Sequence, residues 1–177
     1  MGVGRGGRLD GPERSGGWIE GRRKAGRNVI DRGLAPTPVA YFAAYHLRTG
    51  SGIQVTGSHN PPDYNGFKIV VGGETLSGDA ILDLHARIAE DRLLGTKLPG
   101  TLSERDIGED YVHRIAGDIQ VGQPLKVVVD AGNGVAGTLG PRVLEAIGAD
   151  VTPLFCDIDG TFPNHHPDPS EPHNLEA

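Results

Sequence analysis

One cysteine, one methionine and one tryptophan stand among 177 residues, and aromatics make up 5% of the chain. A lone thiol, Cys156, excludes an internal disulfide, and its apolar neighbours point to a buried, inert sulfur. No stretch approaches 18 apolar residues, so no segment reads as a membrane span. The start is rich in Gly and Arg and is not a secretory signal, so the chain reads as cytoplasmic. No internal repeat is evident. Few aromatics interleave with the basic residues, which argues against a nucleic-acid partner. The opening 33 residues hold eight Arg and Lys against four Asp and Glu, and the remainder nine against nineteen, for a net charge of −6. A basic, glycine-rich arm therefore precedes an acidic body.

Glycine and proline, by contrast, are plentiful at 28 and 13, and they punctuate a βα alternation. SGIQV and FKIVV are short apolar strands that flank the turn-rich TGSHNPPDYNG. Thr37 with Pro38 opens a helix running to about Leu47, with Val39, Phe42 and Ala43 inward. Ser77 caps another to about Arg92, with Ile81, Leu84 and Ile88 as a buried stripe. Gly95 to Thr101 is a linker. From about Ser103, Ile107, Tyr111, Ile115 and Ile119 recur every fourth residue and imply a helix at the start of a second unit. LKVVVD is a buried strand, Pro141–Ile147 ends a helix with Gly148 beyond its C-cap, and DVTPLF is a parallel strand. Arg14 to Gly26 carries four glycines, each costing about 1 kcal/mol in a helix interior relative to Ala. With Trp18, Ile19 and Ala25 alone to bury, a helix there is expected to be weak.

The chemistry concentrates in Thr56–Lys68. Ser58 sits beside His59 and Asn60 in a loop tied at both ends to strands, with Lys68 ten residues on. A hydroxyl that is exposed yet fixed, with donors and an amine nearby, suits phosphoryl transfer. A phosphate on Ser58 would add about 1.5 to 2 negative charges and three strong acceptors. The residues alone equally allow a tight surface hairpin.

TGSHNPPDYNGFK resembles the phosphoserine loop of the α-D-phosphohexomutases, in particular the bacterial phosphomannomutase/phosphoglucomutase branch. The likeness continues through KIVVGGETLSG, LKVVVDAGNGVAG and DGTFPNHHPDP, and upstream through APTPVAYFA and VGRGGRLDGPE, where Gly6 replaces an acid of the family pattern. It implies an α/β fold: a first domain at 1–100, a mixed sheet with flanking helices, and an incomplete βαβ second domain at 101–177. It implies an isomerase that moves phosphate between O1 and O6 of a hexose through a bisphosphorylated sugar. Ser58 would carry the phosphoryl group and, through it, bind Mg²⁺. His59 would contact phosphate or sugar, Asn60 would bind phosphate, and Lys68 would act as acid and base. The partners implied are glucose or mannose 1- and 6-phosphates. The family's DGDGDR-type metal loop and RxYDIRG-like segment are not found in this sequence, so the expectation is a fragment, inactive alone. Such a half-domain exposes a sheet edge and an apolar face, favouring association.

Other readings stay open. GNGVAG from Gly132 is a literal dinucleotide fingerprint with Asp157 some 25 residues on, and it also serves as a plain strand-to-helix turn. PLFCDIDGTF resembles the first motif of haloacid-dehalogenase-like phosphatases, with Asp157 as nucleophile and Asp159 as acid/base. His165, His166 and Asp168 make a conceivable metal group or an ordered proline-rich loop. A non-catalytic remnant that binds phosphosugar is the remaining alternative.

Overall fold

A computed structural model describes all 177 residues. Its larger sheet has six strands in the order β5-β4-β3-β1-β2-β6. These are β1 (Gly2–Arg5), β2 (Val29–Leu34), β3 (Gly52–Val55), β4 (Phe67–Val71), β5 (Glu74–Thr75) and β6 (Leu102–Glu104). The four at 1, 2, 3 and 6 run parallel, and β4 and β5 are antiparallel, so the sheet is mixed as expected. Gly72 and Gly73 both have positive φ, 61° and 89°, which suits the tight two-residue hairpin joining β4 to β5. The smaller sheet is a parallel pair, β7 (Lys126–Asp130) and β8 (Asp150–Leu154).

On one face of the larger sheet lies α1 (Gly11–Lys24), and on the other α2 (Thr37–His46). The glycine-rich segment forms a helix over Gly11–Lys24. Its inward face is Gly11, Ser15 and Ile19, with Trp18 half-buried against Phe67 at a ring separation of 5.6 Å. Gly16, Gly17 and Gly21 fall on the solvent side, where a Cβ would meet nothing within 4 Å. Lost propensity is therefore spread over positions that packing does not use, while Val3, Ile19 and Val29 close the core beneath. In α2, Val39 and Ala43 are each 1% exposed and Phe42 packs beside them. Thr37 is the helix's first residue, not its cap; Pro36 takes that place in extended backbone.

Several expectations are corrected. The third helix, α3, spans Asp79–Ala89, begins two residues past Ser77 and ends three before Arg92. Gly78 takes the capping position at φ 50°, and the Ser77 hydroxyl makes no cap bond. Its apolar stripe is not buried: Ile81 and Ile88 are 40% and 67% exposed, and only Leu84 packs against Ile53, Val55 and Ile69. The residues from Ser103 begin as strand, because Leu102–Glu104 pairs with Val29–Asp31. The helix that follows, α4 (Gly108–Ala116), is shorter than the four-residue repeat implied, and Val112 joins Ile107 in its buried face. Nor is β7 buried; it alternates exposed and half-buried, and Val128 is 64% exposed, because the two-stranded sheet has no neighbour. Cys156 lies past the end of β8 and is half-exposed.

Between β7 and β8 run a 3₁₀ turn at Val135–Thr138 and α5 (Gly140–Ala146), with Gly148 beyond the cap at φ 102°. The segment 95–101 is pinned rather than loose: Thr96 and Gly100 donate their N–H groups to the carbonyls of Lys24 and Arg23. Ala35, Val39 and Ala43 pack with Ile107, Val112 and Leu139, so one apolar cluster joins the two α/β units.

Candidate active site

The chain leaves β3 at Val55 and re-enters the sheet at Phe67, and the loop between them is the most heavily braced segment of the molecule. Thr56 N–H bonds to Gly66 O at 2.9 Å, closing its base. Asn65 donates its side-chain amide to Asp10 at 2.6 Å, tying the loop to the start of α1. The Ser58 N–H donates to Thr56 Oγ1 at 3.0 Å. Ser58 itself has φ 52°, a left-handed backbone that a residue with a Cβ adopts only when its surroundings hold it there.

Arg8 supplies the bracing from below. It is 5% exposed, and its guanidinium donates to the carbonyls of Ser58 at 3.2 Å, Asn60 and Pro61. Burial lowers its pKa, countered by Asp10 and Asp63. Its far side stacks on the Phe162 ring at 5.1 Å, so the loop is fastened to the second unit too. Sequence reading did not single out Arg8. Its partners are backbone carbonyls 50 to 53 residues away, which leave no side-chain pattern to recognise.

The loop opens on a cleft of about 760 Å³ between the two units. Ser58, His59 and Lys68 all line it, together with Pro36, Thr37 and Tyr41 at the start of α2. His59 Nδ1 stands 3.4 Å from Ser58 Oγ. Asn60 is not part of the wall; its side-chain amide donates to Gly57 O at 3.0 Å and closes the turn. Across the cleft stand Asp130, His165, His166 and Asp168. His165 Nδ1 faces the His166 carbonyl at 2.9 Å and its Nε2 the Asp130 carboxylate at 2.9 Å. Both nitrogens meet acceptors, and the His166 carbonyl, with Asp130, raises the pKa against the opposing effect of burial. No group of three or more His, Cys, Asp or Glu is placed to hold a metal ion, so His165, His166 and Asp168 form the ordered loop and not a metal centre.

The remaining candidate motifs resolve into structure. Gly132 and Asn133 turn through positive φ of 49° and 57°, and a Cβ on Gly137 would collide with the Cys156 carbonyl. The glycines thus serve a strand-to-helix turn. Asp159 accepts from the hydroxyl and N–H of Thr161, which lower its pKa, and neither it nor Asp157 lines the cleft.

Two α/β units thus share a cleft with a fixed, exposed serine in its wall. Residues 1–94 match phosphoglucomutase/phosphomannomutase alpha/beta/alpha domain I, and residues 109–177 match domain II. The chain belongs to the phosphoglucomutase/phosphomannomutase family. It is 52% identical over 174 residues to a phosphomannomutase/phosphoglucomutase of Pseudomonas aeruginosa, covering 98% of this chain and 37% of that protein. It is 48% identical to a phosphoglucomutase of Neisseria meningitidis over 98% of this chain and 38% of that one. The crystal structure of a family protein from Burkholderia thailandensis superposes with a TM-score of 0.92 at 51% identity, covering 99% of this chain and 40% of its own. The chain spans less than two fifths of the length of the curated relatives just named.

Proposed function

We propose that this chain carries the phosphoryl-transfer serine of a hexose-phosphate mutase, an isomerase that interconverts hexose 1- and 6-phosphates. The observation that supports it is Ser58: exposed, held at φ 52°, and facing a cleft shared with His59, Lys68 and His165. Phosphoryl transfer asks chiefly for positioning and charge stabilisation. The braced loop positions the hydroxyl. The Lys68 amine and the His165 imidazole in the wall supply donors to an anionic guest there. Lys68 takes the acid/base role at the sugar hydroxyl, His59 contacts the phosphate beside Ser58, and Asn60 helps hold the phosphate loop in shape.

The substrates in this reading are glucose or mannose 1- and 6-phosphate, the domains are 1–100 and 101–177, and the site of action is the cytoplasm. No helix is long and apolar enough to cross a membrane. Mg²⁺ would meet one ligand here, the phosphate on Ser58. The donor set of this chain does not complete a site, and no step is assigned to the metal.

The test is incubation of the chain, joined to the remaining domains of a family member, with glucose 1,6-bisphosphate carrying a radiolabelled phosphate. The expected result is label on Ser58, lost in Ser58→Ala. Equal labelling of both proteins would overturn the assignment. Any phosphatase activity that Asp157→Asn removes would favour the haloacid-dehalogenase-like alternative.

A further inference from the structure

Arg32 is 5% exposed, on the α2 side of the larger sheet. Two glycines make its room: a Cβ on Gly2 would stand 3.1 Å from Nε, and one on Gly4 3.0 Å from Nη2. Nη2 donates to the Ile53 carbonyl at 3.0 Å. Nε and Nη1 are buried and make no hydrogen bond, and the neighbouring Gln54 Oε1 is likewise buried and unpartnered. Arg8 is equally buried, but three carbonyls receive its guanidinium. The adjacent Asp31 points to the other face of the strand, where it accepts the Gly33 N–H at 2.8 Å and faces Arg5 at 3.8 Å.

Burial holds the Arg32 pKa down to about 10, which still leaves a full charge at neutral pH. Leaving such a charge uncompensated in an interior is among the costlier arrangements in a protein. Arg32 lines a cavity of about 80 Å³ at the seam between the two units, beside Val39, Ile107, Thr138 and Leu139. Arg142, paired with Glu109, also borders it, as does Asp106, whose carboxylate accepts the Gly108 N–H at 2.8 Å and keeps its charge. The volume lies well below the roughly 300 Å³ at which pockets for organic ligands begin. It suits one small ion with a water or two. Walls of Val, Ile and Leu around a guanidinium favour a weakly hydrated anion over a sulfate.

We propose that Arg32 and this seam cavity form a binding site for one monovalent anion of halide size, which supplies a partner for the two unpaired guanidinium nitrogens. Because residues of both units line the cavity, the bound ion stiffens their junction.

Bromide is the probe. Crystals of the chain grown in sodium bromide should show an anomalous peak within about 4 Å of the Arg32 guanidinium, a distance typical of a charge pair. At equal ionic strength, replacing gluconate by bromide should raise Tm by about 2–4 °C for a chain of this size, and Arg32→Met should abolish that rise. A bridging water with no anomalous signal at Arg32 overturns the proposal. So does a rise that persists in Arg32→Met, which would place bromide elsewhere. Should Arg32→Met not fold, the anomalous map of the unaltered chain decides alone.

Discussion

Gly57 shows how little freedom the serine loop has. A Cβ there would run into Arg8 Nε and stand 2.5 Å from the Tyr64 carbonyl. Gly57→Ala should therefore cost about 2 kcal/mol or more, read as a lowered urea midpoint, and should abolish labelling of Ser58. Unchanged stability would mean that the guanidinium does not pack where the structure puts it. His165 yields a pH prediction. Its folded pKa lies above the ordinary 6.5, so its stabilising contribution is complete below that value and fades as pH rises through the raised one. His165→Gln should thus lower Tm most at about pH 6 and least at about pH 8.5. A constant deficit across that range would assign His165 a purely steric role. Ser58, His59 and Lys68 stand out in the sequence because they lie within eleven consecutive positions, and all three line the cleft. Arg8 and His165 were not read as parts of the site, since each becomes meaningful only when distant segments meet.

At the scale of the elements, α1 separates intrinsic propensity from packing. Its sequence reads as a poor helix, yet Gly11, Ser15, Trp18 and Ile19 recur at helical spacing and seat it on the sheet. Large apolar residues alone understate its packing; a buried glycine and a serine with its hydroxyl bonded to the Pro12 carbonyl at 3.1 Å also pack. The exposed glycines remain a cost without a function. Gly16→Ala and Gly17→Ala should each stabilise the chain by about 0.4–1 kcal/mol, seen as a higher urea midpoint with an unaltered slope. Destabilisation by either would mean that α1 is frayed at its middle. The opposite error occurred in α3. A clean stripe of Ile81, Leu84 and Ile88 announces an amphipathic helix, and the helix forms, but periodicity says only that a face is apolar and not that something covers it.

The whole molecule joins a well-supported unit to a poorly supported one. Strands β1 and β3 sit in the middle of six and are covered by helices on both faces; Val3 and Ile53 are fully buried. Strands β7 and β8 have only each other, and Val128 at the centre of β7 is largely exposed. Pro153, which cannot donate to a ladder, stands within β8 and fits an edge. A lone pair of strands is marginal by itself, so α5 and the Ala35–Leu139 cluster must carry that unit. Hydrogen exchange should therefore separate the two. Amides of β1 and β3 should exchange only on global unfolding, and those of β7 and β8 at least about tenfold faster, through local opening. Leu139→Ala, at the seam, should widen the gap by loosening the second unit more than the first. If β7 and β8 instead match β1 and β3 in protection, the seam fuses the two sheets into one cooperative body, and the cleft that holds Ser58 is rigid from both sides.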